Sequence, residues 1–295
     1  LAANVASRRK AVNPSACGLI PSLLKWRCVM ICGVDVPPQS VVLKDAGFMD
    51  AYDPILVVLL FSVLAAGAAA LGSLPTILPG GMHFSWIGSS LAIASGLMLG
   101  AGYVLMAEVI KEGSPLPPVL GAALGVAYTF WTHRFSGSEE IETLPESRIG
   151  EAQELRLLLL GSLHSASEGI AIGGAMAINL WLGIFMALSL AVHNIAEAMA
   201  LTWVLRLRNV SAAHAAVLGV ITNVPQILMA IVSYSIVSAE PLLLSWLVGF
   251  AAGALLYLVL TELLPASYRN GNNTKIALLV SFSAGGLVLL EGFWR

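Results

Sequence analysis

The feature that most constrains this chain is a series of eight long apolar runs separated by short polar breaks. The runs cover residues 55–79, 86–110, 117–134, 156–178, 181–205, 213–237, 242–265 and 276–294. A helix needs about 20 mostly apolar residues to cross the hydrocarbon core of a bilayer. Charged residues make up only 11% of the chain, whereas an average soluble domain carries roughly 25%. We therefore interpret each run as a membrane-spanning helix, although the third is short and ends in the polar sequence FWTHRF.

Backbone groups exposed to lipid must be hydrogen-bonded within the protein, which leaves helices and closed barrels as the spanning structures. The runs are continuous and lack the period-two alternation of barrel strands. The sequence thus predicts an all-α membrane protein, with an eight-helix bundle over residues 54–295. Similar sequences in the second and seventh runs, and paired motifs in the fourth and fifth, indicate an inverted repeat around helices 4 and 5.

Residues 1–53 precede the first run and are predicted to be a separate N-terminal extension. Its first 34 residues contain five basic side chains and no acidic one. That composition is typical of a transit peptide, and equally of a disordered tail. The three cysteines, Cys17, Cys28 and Cys32, all fall in this segment, so they provide no disulfide framework for the apolar part of the chain.

The distribution of Lys and Arg between the predicted loops sets the orientation. Cytoplasmic loops of membrane proteins are enriched in these residues. One side of the predicted bundle holds Arg134, Arg148, Arg156, Arg206, Arg208, Arg269 and Lys275. We expect this side to face the cytoplasm, or its equivalent in an organelle, and both termini to face away from it. The net charge of −2 gives no indication of a nucleic-acid surface.

Two acidic residues interrupt the most apolar part of the chain. Between Leu157 and Leu205 the only acidic residues are Glu168 and Glu197, and this stretch contains no Lys or Arg. Two charges near the centre of a bilayer cost about 5–7 kcal/mol on insertion scales. Protonation, a polar cavity or a bound cation could offset that cost.

A histidine lies four residues before each glutamate, His164 before Glu168 and His193 before Glu197. This spacing places each pair on one face of its helix. The connector at 179–180 is so short that the two helices must be antiparallel neighbours, with their midpoints at similar depth. Two imidazoles and two carboxylates can then converge. Such a set binds Zn²⁺ at about 2.0–2.2 Å, and Fe²⁺ and Mn²⁺ accept the same ligands.

The stretches "HSASEG" in the fourth run and "HNIAEA" in the fifth resemble the paired HNxPEG motifs of the ZIP (Zrt/Irt-like) family of divalent-metal transporters. The stretch "FAAGALLYLVLTELLPAS" in the seventh run resembles another family motif. The resemblance implies an eight-span importer that moves Zn²⁺, or Fe²⁺, Mn²⁺ or Cd²⁺, toward the cytoplasm by alternating access. It implies a main transport site of His164, Glu168, His193 and Glu197.

The same resemblance places Ser165 and Asn194 at positions that often belong to a second metal site or support the first. Glu262 in "TELLP" is a candidate exit ligand near the cytoplasmic end of the seventh run. The sixth run contains no acidic residue, so a single metal site is predicted. The metal is cargo, and no prosthetic group is implied. The sequence leaves open which membrane holds the protein and whether it forms a homodimer.

Two other classes of function fit a buried His/Glu set. A metal with an open coordination position can activate water, as in an intramembrane hydrolase. Against this reading, the chain contains no H-E-x-x-H motif and no additional base beside the four residues. The metal could also stabilise a membrane scaffold without moving. Flux across a sealed membrane distinguishes transport from both alternatives.

Overall fold

The computed structural model of the protein describes residues 53–77, 84–112, 114–136, 151–207 and 209–294. These ranges fold into helices and contain no β-strand. They all lie in one compact unit, Leu43–Arg295. The N-terminal segment before Asp53, with its three cysteines, lies outside the described residues, and its character stays a prediction.

Ten α-helices account for most of the described chain. They are α1 (Pro54–Ala68), α2 (Phe84–Glu112), α3 (Leu116–Ser136), α4 (Glu151–Ile178), α5 (Leu180–Leu207), α6 (Ala212–Thr222), α7 (Val224–Ala239), α8 (Leu244–Leu258), α9 (Leu264–Arg269) and α10 (Asn273–Trp294). The helix α1 continues as a 3₁₀ helix over Ala69–Thr76. A π-helical turn, Val259–Leu263, joins α8 to α9. Within the described residues all eight predicted runs are therefore helical, with α6 and α7 forming the sixth and α8 and α9 the seventh.

Six of these helical segments are long and apolar enough to cross a membrane. They are Pro54–Thr76, Trp86–Lys111, Leu180–Arg206, Ala212–Ala239, Pro241–Arg269 and Asn273–Phe293. The prediction of an all-α, multi-pass membrane protein is confirmed. The third and fourth runs, α3 and α4, are not in this set of six, so the count of eight crossings stays a prediction.

A tight turn at Asn179 joins α4 to α5. The side-chain Oδ1 of Asn179 accepts hydrogen bonds from the backbone N–H groups of Trp181 and Leu182, at 2.8 and 3.2 Å. These two N–H groups belong to the first turn of α5 and have no partner within the helix. Because the turn is so short, α4 and α5 are antiparallel neighbours, as the sequence predicts.

Glycines form close helix–helix contacts through the bundle. Gly121 and Gly125 of α3 face the backbone of α8, and Gly249 and Gly253 of α8 face the backbone of α3. Gly169 and Gly173 bring α4 against α7 in the same way, and Gly96 and Gly100 bring α2 against α10. Small residues let helices approach closely where lipid provides no hydrophobic driving force for their association. We call these three contacts the glycine seams.

We expect Gly125→Ala to destabilise the protein, because a Cβ there would overlap the carbonyl oxygen of Phe250. Overpacking of this kind costs about 1–3 kcal/mol. The matched control is Gly285→Ala in α10, where nothing lies within 4 Å of the added methyl. Thermal unfolding of the detergent-purified variants, followed by tryptophan fluorescence, should show a lower Tm for Gly125→Ala alone. Equal Tm values would contradict the tight packing of α3 on α8.

The helix contacts repeat in two halves of the described bundle. Run 3 packs on run 7, and in the same way run 8 packs on run 2. Run 4 packs on run 6, and run 5 packs on run 1. Run 2 packs on run 5, and run 7 packs on run 4. Let run 1 be exchanged with run 6, run 2 with run 7, run 3 with run 8 and run 4 with run 5. Each of these contacts then becomes the other contact of its pair. In a chain that reverses direction at each connection, exchanged runs are antiparallel. This pairing is the arrangement expected of an inverted repeat centred on α4 and α5.

Candidate metal centre

The four predicted ligands lie in the interior, on α4 and α5. Glu168 and His193 are fully buried, and His164 is 7% exposed. The side chain of Glu197 is 25% exposed. The turn at Asn179 sets the register of the two antiparallel helices, so that residues near their midpoints face each other. The structure thus brings together the four residues that the sequence singles out.

The closest contacts cross between the helices. His164 Nε2 lies 2.6 Å from Glu197 Oε1, and His193 Nε2 lies 3.0 Å from Glu168 Oε1. Within α5, His193 Nε2 is 3.5 Å from Glu197 Oε2. The sequence spacing predicts each pair on one helix face, but it does not show that each imidazole is nearest to the carboxylate of the other helix. The carboxylate of Glu197 lies between the two imidazoles.

Three of these residues, Glu168, His193 and Glu197, have ligand atoms that all lie within 4.8 Å of one another. His164 joins this group through its 2.6 Å contact with Glu197. Imidazole nitrogen and carboxylate oxygen are ligands for Zn²⁺ and related first-row ions. We call the four residues the His/Glu cluster.

Several buried atoms of the cluster have no hydrogen-bond partner among the described residues. They are Nδ1 of His164, Nδ1 of His193 and Oε2 of Glu168, whereas His193 Nε2 and Glu168 Oε1 lie 3.0 Å apart without the alignment of a hydrogen bond. Leaving a buried polar group without a hydrogen bond is costly, about 1–3 kcal/mol and more for a charged one. A cation placed among these atoms would satisfy them directly. Their chemistry therefore fits a metal ion better than it fits a packed polar core.

Ser165 and Asn194 make contacts from the cluster helices to the rest of the bundle. The hydroxyl of Ser165 lies 2.8 Å from the Gly161 carbonyl oxygen and 3.3 Å from Asn223 Oδ1. Asn194 donates from Nδ2 to the Ala65 carbonyl oxygen and to Gln226 Oε1, both at 2.9 Å. These bonds orient both side chains toward neighbouring helices, which suits a supporting role. Asn194 Oδ1 has no hydrogen-bond partner among the described residues.

Glu262 lies in the π-helical turn and contacts a residue that the sequence analysis missed. His133, near the end of α3, has its Nε2 atom 2.8 Å from Glu262 Oε1. His133 also stacks edge-on against Tyr257, with ring centroids 5.7 Å apart. The sequence contains only an indirect signal for this contact. The rows of glycines in the third and seventh runs indicate that these two runs pack together, and His133 and Glu262 lie toward the same end of them.

A cavity of about 110 Å³ connects the His/Glu cluster with Glu262. His164 and Glu197 line it, and it extends past Glu262 to Ala266 and Asn270 at the end of α9. Arg269 lies at this end of the bundle, the end predicted to be cytoplasmic from its Lys and Arg. Beyond the cluster in the other direction, α4 and α5 bury apolar side chains, Ile172, Met176, Met186 and Leu190. In this structure His164 and Glu197 face a cavity that extends toward the Arg269 end, and apolar side chains cover the cluster on the other side.

Comparison with known families agrees with this site. The family model described as ZIP zinc transporter matches residues 136–290, more than half of the chain. The chain belongs to the ZIP zinc transporter family. The matched region contains α4 and α5 with all four cluster residues, and also Glu262.

Individual relatives carry zinc transport in their names. The chain is 28% identical over 237 residues, 79% of its length, to an Arabidopsis thaliana protein named provisionally as a zinc transporter. It is 28% identical over 226 residues to the zinc transporter GufA of Myxococcus xanthus, and the match covers 72% of this chain and 89% of that protein. Only 38% of the Arabidopsis protein is covered, so this chain corresponds to less than half of that relative.

We expect Glu168→Gln to weaken Zn²⁺ binding by at least about tenfold. The substitution keeps the shape of the side chain but removes a buried anionic ligand, and even loss of a group that only supports a ligand costs about 10–100-fold in metal affinity. Zn²⁺ titration by calorimetry on the purified protein measures the effect. The exposed Glu240 at the end of α7 provides the control: Glu240→Gln should bind as tightly as the unaltered protein. Equal Zn²⁺ affinity in Glu168→Gln and Glu240→Gln would show that Glu168 is not a ligand of the ion.

Proposed function

We propose that this protein carries divalent metal ions across a membrane through the His/Glu cluster. The observation that carries the proposal is the convergence of two imidazoles and two carboxylates, largely buried between two apolar helices without a Lys or Arg in either central stretch. Ionisable groups inside a membrane protein mark ion pathways. Membership of a transporter family supports the same conclusion and favours it over a hydrolase or a scaffold.

Zn²⁺ is the proposed cargo. Its tetrahedral preference can be met by His164, Glu168, His193 and Glu197, each with one atom, and both relatives are named for zinc. Fe²⁺, Mn²⁺ and Cd²⁺ are the proposed competitors, because a mixed nitrogen and oxygen site does not discriminate strongly among such ions. The hydrogen bonds of Ser165 and Asn194 to other helices support one metal site with these two as supporting residues.

The shared carboxylate of Glu197 provides a path from the cluster to the cavity. It is the most exposed of the four ligands and lines the cavity together with His164. An ion leaving the cluster would keep a contact with Glu197 before reaching Glu262 and His133, whose side chains are 2.8 Å apart. Transport requires that each contact be weak enough to release the ion. We propose Glu262, assisted by His133, as the exit ligand.

The proposed direction of transport is toward the cytoplasm. The cavity extends toward the end of the bundle that holds Arg206 and Arg269, and basic residues mark the cytoplasmic side. The structure then corresponds to an inward-open state. An inverted repeat allows the opposite state to form when the two halves exchange their conformations, which is the basis of alternating access.

In sealed proteoliposomes that hold the purified protein, we expect saturable ⁶⁵Zn²⁺ uptake that falls at least about tenfold in Glu168→Gln and Glu197→Gln, because each change removes one of four ligands. Glu240→Gln again serves as the matched control and should transport normally. Full uptake in the two cluster variants would show that the ion crosses the protein by a path that does not use the His/Glu cluster. Zn²⁺ binding without any flux in the unaltered protein would favour the scaffold or hydrolase.

For the exit step we expect Glu262→Gln and His133→Ala to lower the maximal uptake rate several-fold, while the Zn²⁺ affinity of the cluster changes by less than about twofold. Neither residue belongs to the three-residue group that could hold the ion, so the ligands of the cluster are unchanged in these variants. Initial uptake rates at saturating Zn²⁺ and equilibrium titrations measure the two quantities. The control is His214→Ala, since His214 lies at the start of α6 and hydrogen-bonds only locally to Ser211. An unchanged maximal rate would reduce Glu262 to a structural partner of His133.

A further inference from the structure

The two halves of the bundle can be aligned residue by residue through their glycines. Gly96 and Gly100 of α2 form the seam with α10, and Gly249 and Gly253 of α8 form the seam with α3. Both pairs have the same spacing, and the runs that carry them exchange places in the repeated contact pattern. Gly100 is therefore the counterpart of Gly253.

Burial supports this alignment along the following turns. Leu105 and Leu258, each five residues after its glycine, are both fully buried. Tyr103 and Leu256, each three residues after its glycine, are both exposed, by 62% and 46%. Counterpart residues thus face the core or the lipid alike, as an inverted repeat requires.

The π-helical turn explains where the two halves lose register. Glu108 follows Gly100 by eight residues, whereas Glu262 follows Gly253 by nine. A π-helical turn inserts one residue into a helix, and Val259–Leu263 lies between Gly253 and the end of α9. With that residue accounted for, Glu108 is the counterpart of Glu262. The residues that follow them, Val109 and Leu263, are both buried.

From this equivalence we propose that Glu108 is the entrance ligand of the transport path, on the side opposite Glu262. The inference rests on the proposed transport function. Glu262 lines the cavity that is open in this structure. When the two halves exchange conformations, α2 takes the environment that the seventh run has here, and Glu108 lines an outer cavity that leads to the His/Glu cluster.

In the present structure the outer end is closed and Glu108 has a cationic neighbour. Lys111 Nζ lies 3.1 Å from Glu108 Oε1, one turn along α2, and the Lys111 side chain is 55% exposed. An ion pair this exposed is weak, so an arriving divalent cation can displace the lysine. The position equivalent to Lys111 in the other half is Pro265. A lysine that competes with the metal ion for the carboxylate is therefore present beside Glu108 and has no equivalent beside Glu262.

The test compares Glu108→Gln with Glu262→Gln in the same ⁶⁵Zn²⁺ uptake assay. An entrance ligand raises the local concentration of the cation and speeds its capture, so Glu108→Gln should raise KM by about threefold to tenfold and leave the maximal rate within about twofold. Glu262→Gln should lower the maximal rate without raising KM. Glu108→Asp should restore most of the original KM, because it returns the carboxylate.

Glu240→Gln is the matched control, since Glu240 is an exposed acid at the same predicted outer side. An equal KM in Glu108→Gln and Glu240→Gln would overturn the proposal, as would a fall in the maximal rate of Glu108→Gln at unchanged KM. Absence of uptake by the unaltered protein would instead reject the transport function itself, so the two failures are distinguishable.

A second measurement does not depend on rates. In a chain with Cys17, Cys28 and Cys32 replaced by Ser, a Cys in place of Glu108 should react with a membrane-impermeant thiol reagent added from outside, and one in place of Glu262 only from inside. Zn²⁺ at saturating concentration should slow both reactions. Reaction of both positions from the same side would overturn the proposal.

Discussion

The bundle is organised around two carboxylates that lie between apolar helices beside two histidines, with no Lys or Arg in the central stretch of either helix. Glu168 is fully buried. Its Oε2 has no hydrogen bond among the described residues, and its Oε1 lies 3.0 Å from His193 Nε2. Burying such a charge is expensive unless a cation or a proton offsets it. A divalent ion can do so for two carboxylates at once, and it can leave again, which a structural lysine cannot. The electrostatic cost of these buried carboxylates thus favours ion entry.

Much of this arrangement follows from the sequence because it depends on local rules. The length of the apolar runs predicts helices, the spacing of His164 and Glu168 predicts a shared helix face, and the short connector at Asn179 predicts antiparallel neighbours. What could not be predicted depends on register between helices. The sequence does not tell which imidazole is nearest to which carboxylate, and the 2.6 Å contact of His164 with Glu197 is visible only in the structure.

The exit region shows a second limit of the sequence. The sequence does not single out His133, which lies near a helix end beside Arg134. Its 2.8 Å contact with Glu262 depends on the glycine seam between α3 and α8 and on the π-helical turn that rotates the following residues. One inserted residue turns a helix by about 100°. Pro265 marks a break in regular helical hydrogen bonding here, but the sequence does not show that the break takes the form of an inserted residue.

The glycine seams have a consequence for how the bundle can move. Helices whose backbones are in contact cannot slide past one another without separating, so α3 with α8, α2 with α10, and α4 with α7 should each move as one rigid piece. The His/Glu cluster belongs to none of these pieces alone, because His193 and Glu197 lie on α5, which takes part in none of the three glycine seams. The ion therefore binds in the joint between moving parts. Coordination of the ion changes the contacts between α4 and α5 directly. Metal binding and the relative position of the rigid pieces are therefore linked at the site itself.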